Sequence, residues 1–172
     1  MIYVVRHGQT DWNLQGIYQG QTDIELNKTG IEQAEDLKDK LKNIKFDVAY
    51  SSPLKRALKT AFILHNGTII VDERIKERGN GKLEGTIKNN NVVNFSDPND
   101  TRFEIESLPE FRKRISDFFD DIKIKYHGKN ILVVTHGGVS IYAKCYFEGE
   151  PENGDYNQYL LKNTDFLQFR ND

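Results

Sequence analysis

The 172-residue chain carries 24 Lys and Arg against 26 Asp and Glu, a formal charge of −2, and 37% apolar residues; that is enough for one domain to bury a core without disulfides or metal. Its lone cysteine, Cys145, cannot form an internal bridge, and no apolar run approaches the roughly 20 residues that a bilayer crossing requires. Near-neutral charge argues against nucleic-acid binding, and one cysteine with no start signal ahead of Arg6 points to a cytoplasmic protein with no membrane partner.

Residues 1–5 form a short apolar run that reads as a buried strand opening into a loop. Asn27 is placed to cap a helix whose apolar positions Ile31, Ala34, Leu37 and Leu41 recur every three or four residues. Residues 46–50 are strand-like; Ser51-Ser52-Pro53 is expected to supply a cap and a first-turn proline, and Leu54, Ala57, Leu58 and Ala61 make the next helical stripe. Residues 68–71 are a third strand, followed by a glycine-punctuated loop through Glu77 and Gly81. Residues 86–107 are polar and without apolar period, and are expected to form a lid within a single domain spanning 1–172. Phe111, Ile115, Phe118, Phe119 and Ile122 then mark a strongly amphipathic helix with Pro109 and Glu110 in its first turn. Residues 131–135 are a buried strand ending at His136-Gly137-Gly138; a helix over 139–147 and a last strand over 164–169 complete the chain. Strands alternating with helices predict a three-layer α/β/α fold with a mostly parallel central sheet.

In such a sheet, ligands bind beyond the carboxyl ends of the strands. The segments placed there are Arg6-His7-Gly8-Gln9-Thr10, Ser51 to Arg56, Glu73 to Glu84, and Thr135 to Gly138. Two histidines, two arginines and a glutamate would converge. Two guanidiniums can grip phosphate oxygens, and one of two imidazoles could attack. Two histidines could also bind zinc, but no third ligand stands at close spacing, and there is neither an H-E-x-x-H run nor a cysteine cluster. His65 and His127 fall near helix ends, where they would do no more than interact with carbonyl groups.

Arg6-His7-Gly8-Gln9-Thr10, with Asn13 following, resembles the Arg-His-Gly signature of the histidine phosphatase superfamily, which includes the cofactor-dependent phosphoglycerate mutases. The resemblance continues in order through Gln19-Gly20, Asp23, Leu26 and Gly30, then Ser51-Ser52-Pro53 with Arg56-Ala57 and Thr60-Ala61, then Glu77, Gly81 and Glu84-Gly85, and finally Thr135-His136-Gly137-Gly138. It covers most of residues 1–85 and 106–169.

The resemblance implies a phosphoglycerate mutase-like fold and a phosphohistidine on His7, with Arg6, Arg56 and His136 holding the phosphoryl oxygens and Asn13 and the Gly137 N–H adding donors. Glu77 matches the family's proton donor; Glu73 and Glu84 also lie in this segment, but only the Glu77 register places Gly81 and Glu84-Gly85 on the family pattern. Leu83 stands where many relatives carry an aromatic residue. Only about twenty residues follow Gly85 before Glu106-Ser107, a shorter excursion than the similar mutases have. That favours a phosphatase, like the small alpha-ribazole phosphatases, acting on a small phosphorylated metabolite with neither cofactor nor metal. A phosphoglycerate mutase is the alternative within the family. A non-catalytic phosphate or phosphoprotein-binding module is the alternative of another class, and the presence of both His7 and Glu77 speaks against it.

Overall fold

Ile131–Thr135 (β4) is apolar and β-branched without alternation, as befits a strand covered on both faces. It lies at the centre of a five-stranded sheet in the computed structural model, which describes residues 1–88, 97 and 102–171. Ile2–Arg6 (β1) and Val48–Ser51 (β2) flank β4, both parallel to it, and Ile69–Val71 (β3) extends the β2 edge. Phe166–Phe169 (β5) closes the other edge antiparallel to β1. The strand order is β3-β2-β4-β1-β5. The sheet is therefore mostly parallel, as expected.

Side chains two apart along a strand share a face, and the two faces build two cores. Ile2, Val4, Val48, Tyr50, Ile131 and Val133 pack against Phe111, Ile115, Phe118, Phe119 and Ile122 of Leu108–Lys125 (α4) and Val139 and Ala143 of Gly137–Glu148 (α5). Tyr3, Val5, Ala49, Leu132 and Val134 pack against Leu37 and Leu41 of Lys28–Leu41 (α2) and Ala57 and Ala61 of Lys55–Leu64 (α3). Each buried Phe or Leu here is worth roughly 1.5–3 kcal/mol. A four-residue helix, Asp11–Leu14 (α1), follows the first strand and is closed by a capping box between Thr10 and Asn13. Among the described residues, no helix is long and apolar enough to cross a membrane.

Asn27 and Ser107 cap α2 and α4 through their side chains, which accept from Gly30 N–H and Glu110 N–H. The expected cap of α3 is not formed. Ser51 belongs to β2, Leu54 is the residue before the helix with no side-chain cap bond, and Pro53 precedes it rather than entering the first turn. The helix starts at Lys55, so Ser52 stands two residues ahead of the cap position; its hydroxyl oxygen accepts the Leu54 N–H at 3.3 Å and lies 2.7 Å from His136 Nε2. α5 begins at Gly137, two residues before the sequence pattern suggests, because glycines carry no apolar signal. The last strand starts at Phe166, since Thr164 has a positive φ of 60° that an extended strand excludes. Of the expected lid, residues 89–96 and 98–101 lie outside the described part. Within it, Ile87 bridges Ile17, Arg102–Glu104 is a 3-10 turn, and Ile105 is buried beside Tyr18 and Leu83.

Candidate active site

The β1–α2 crossover lies on one face of the sheet and α5, which follows β4, lies on the other. Adjacent parallel strands whose connections leave in opposite directions open a crevice at their carboxyl ends. His7 donates its backbone N–H to Thr135 O at 2.9 Å, and Ser52 donates its own to Val134 O at 3.0 Å. The three chain segments thus leave the sheet at one level, which is why residues far apart in sequence meet.

His7 is buried, and its Nδ1 lies 2.7 Å from Gly8 O. A carbonyl only accepts, so Nδ1 carries the proton and the Nε2 lone pair remains available. Burial, then the guanidiniums of Arg56 and Arg6, holds the His7 pKa well below the ordinary imidazole value of 6.5. The imidazole is neutral at pH 7. The His136 ring stands 5.2 Å away, centroid to centroid, at 60°. Its pKa is likewise held well below 6.5 by burial and by Arg56, His7, Arg6 and Arg114.

Arg56 has no exposed surface, and its two terminal nitrogens donate to Thr22 O at 2.8 Å and Gly20 O at 2.7 Å. Burial pushes its pKa down to about 10, which leaves it a cation at neutral pH. Arg6 donates to Leu161 O, and burial lowers its pKa too. Among the described residues, the buried side-chain nitrogens without a partner include Arg6 Nε, Arg56 Nε and His136 Nδ1. Buried donors are ordinarily satisfied. All three belong to groups that neighbour His7: both guanidiniums act on its pKa, and the His136 ring stands 5.2 Å from it.

Glu77 accepts from Arg78 N–H at 2.9 Å through Oε1 and from Gly138 N–H at 3.0 Å through Oε2. Its backbone is fixed from α4, where Arg114 donates to the carbonyls of Arg74, Lys76 and Glu77 at 2.6, 2.7 and 3.0 Å while pairing with both carboxylate oxygens of Glu106 at 2.7 and 2.9 Å. The neighbouring carboxylates are used differently. Glu73 is exposed and pairs with Lys76 at 3.3 Å; Glu84 clamps the loop under Arg56, accepting from Gln21 N–H, Asn80 N–H and the Thr22 hydroxyl.

These groups open onto a cavity of about 520 Å³ whose lining includes Arg6, His7, Asn13, Arg56, Glu77 and Gly138. Asn13 turns its Oδ1 toward Thr10 N–H at 3.1 Å and Asn163 Nδ2 at 3.3 Å, which leaves the amide nitrogen as its donor end. His136 and Gly137 are buried and do not line the cavity; Gly138 lines it instead, with its N–H given to Glu77. The outer wall was missed by sequence reasoning. Arg112 stacks over Tyr142 at 4.7 Å, donates to the Tyr156 hydroxyl at 3.0 Å and pairs with Glu150 at 3.3 Å, fastening the segment after α5 across the cavity mouth. Nothing in the composition of residues 149–157 distinguishes such a wall from an ordinary loop.

An α/β fold of this order, with two buried guanidiniums, two neutral imidazoles and a carboxylate at the strand ends, defines a phosphoryl-handling protein. Residues 2–170 match the model of the histidine phosphatase superfamily (branch 1), and the chain belongs to that family. It is 37% identical over 140 residues to the uncharacterized phosphatase PhoE of Bacillus subtilis, covering 79% of this chain and 71% of that protein. Identity is 33% over 154 residues to a 2,3-bisphosphoglycerate-dependent phosphoglycerate mutase of Cytophaga hutchinsonii, 80% of this chain and 72% of the mutase. Among solved structures, it superposes with a TM-score of 0.81 and 30% identity on a phosphoserine phosphatase of Entamoeba histolytica, covering 96% of this chain and 87% of the other. That enzyme has been crystallised with 3-phosphoglyceric acid, and a histidine-to-alanine mutant of it with phosphoserine.

Proposed function

We propose that this protein is a phosphomonoester hydrolase acting on a small phosphorylated metabolite through a phosphohistidine on His7. One observation carries the reading: the buried side chains of Arg6, Arg56 and His136, each with an unpartnered nitrogen, neighbour an imidazole whose Nε2 holds a free lone pair. Nε2 attacks phosphorus in line, the N–P bond forms, and the bond to the leaving oxygen breaks. The spread negative charge of the transferring group falls on Arg6, Arg56, His136 and the Asn13 amide, which is the stabilisation that phosphoryl transfer mainly needs. Glu77, held at the cavity wall, gives its proton to the leaving oxygen. It then takes a proton from the water that attacks phosphorus, and the N–P bond breaks to release inorganic phosphate and neutral His7.

Phosphoserine and 3-phosphoglycerate head the substrates to try, because a similar enzyme binds them. The mutase relative keeps a second reading in view, in which the phosphohistidine returns its phosphoryl group to the substrate rather than to water. A panel of phosphomonoesters, with His7→Ala as the blank and phosphoglycerate interconversion with a trace of bisphosphoglycerate as a parallel assay, decides between them. Hydrolysis by the native protein and an acid-labile phosphoenzyme absent from the variant are expected. Robust interconversion would make it a mutase, and no turnover of any ester would leave a binding module.

A further inference from the structure

Ser52 has no exposed surface, and its hydroxyl oxygen lies 2.7 Å from His136 Nε2. The same oxygen accepts the Leu54 N–H at 3.3 Å. The hydroxyl proton still needs an acceptor, and among the described residues His136 Nε2 is the one in contact with it. The reverse arrangement, Nε2–H donating to the hydroxyl, would strand the Ser52 proton in the interior. Both ends of the contact are built on β4: Ser52 N–H is bonded to Val134 O, and His136 follows Thr135 directly.

The charged and titratable groups facing His136 come from every side: Arg6 and His7 from β1 and its loop, Arg56 from α3, Arg114 from α4, and Glu77 through Gly138. Burial and the cations among them keep the imidazole neutral. A neutral imidazole donates from one nitrogen only, so its usefulness to an anion depends on which one carries the proton.

We propose that Ser52 is a positioning residue for the reaction at His7: its O–H···Nε2 bond locks His136 as the Nδ1–H tautomer, making the otherwise unpartnered Nδ1 a hydrogen-bond donor to a phosphoryl oxygen. The inference rests on the phosphoryl-transfer reading for its purpose, but the tautomer is measurable without turnover. Nitrogen-15 NMR of imidazole-labelled native protein, with and without inorganic phosphate, is expected to show His136 with Nδ1 protonated and Nε2 bare. In Ser52→Ala the Nε2–H form should become populated and inorganic phosphate should bind about tenfold more weakly, with Ser52→Thr restoring both. An Nε2–H tautomer in the native protein overturns the assignment, and needs no variant to fold. So does a Ser52→Ala protein with unchanged tautomer and phosphate affinity. If the tautomer and the tenfold loss are found in a protein that hydrolyses no ester, the hydrolase reading falls and the role of Ser52 stands.

Discussion

Oε2 of Glu77 accepts the Gly138 N–H at 3.0 Å, so the carboxylate proposed as acid and base is fastened to the first turn of the helix that follows His136. One hydrogen bond therefore links the acid loop to the phosphate cradle. The other carboxylate oxygen is held by Arg78 N–H at 2.9 Å, which sets the group's orientation from its own loop.

Glu77→Gln is nearly isosteric but removes the transferable proton, and its amide can accept from only one of Arg78 N–H and Gly138 N–H. Turnover of esters with poor leaving groups should fall by about 10²-fold or more, while para-nitrophenyl phosphate, whose leaving group needs little help, should lose much less. A series of aryl phosphates spanning leaving-group pKa measures this as a steeper dependence of kcat/KM. Equal slowing of every ester would remove Glu77 from the acid role.

Arg114 holds the acid loop through three carbonyls and a two-pronged pair with Glu106, whose side chains are 19% and 17% exposed. Arg114→Ala leaves a mostly buried carboxylate unpaired and should cost about 3 kcal/mol of stability in urea unfolding. Arg114→Lys should restore little of it, because an ammonium cannot span both carboxylate oxygens and the carbonyls together. A loss within experimental error would show that the pair is ornamental.

The depressed pKa values of His7 and His136 fix the sign of a pH effect. Above the unfolded-state value of about 6.5 neither state is protonated at these rings, and the full stability is present. As pH falls below that value the unfolded chain binds protons that the native rings refuse, so stability declines by up to about 1.4 kcal/mol per pH unit for each ring until the native sites protonate. Urea unfolding between about pH 6.5 and 5 should show this slope, reduced by about one proton in His136→Asn. The His7 base form persists over the same window, so the acid limb of kcat/KM belongs below 6.5; rings titrating at 6.5 by NMR would contradict both.

Gly30 lies in the first turn of α2, where an added Cβ would stand 2.1 Å from Gln9 O and 2.7 Å from Gln9 N. Both contacts are backbone, two residues beyond His7. Gly30→Ala should therefore displace the His7 loop, costing about 1–3 kcal/mol and about 10²-fold in turnover through misplacement. Lys28→Ala in the same turn, an exposed position, should change neither.

His7, Arg6 and the later His136 were legible because each follows an apolar run that can only be a buried strand, and parallel topology brings strand ends together. Glu77 is singled out by register with the family pattern, and it lies in the cavity wall beside Gly138. Ser51-Ser52-Pro53 reads as a helix cap, but the helix starts later, at Lys55, and the Ser52 hydroxyl lies 2.7 Å from His136 Nε2, a partner that no local pattern points to. The wall of Arg112, Tyr142 and Tyr156 was not legible at all. It depends on an arginine choosing an aromatic face across three elements, and no local spacing records that choice.

Arg6 rests on Leu161 O, its backbone N–H on Asp165 O at 3.1 Å, and His7 O receives the Asn163 amide at 2.9 Å. The opening motif is thus braced by residues 155 or more positions further along the chain. The six residues given roles in the proposed reaction, from Arg6 to His136, all precede that segment, yet the first two depend on it for their backbone position. A chain cut ahead of Leu161 should therefore keep every one of those side chains and still lose turnover, because the motif would have no backbone to rest against.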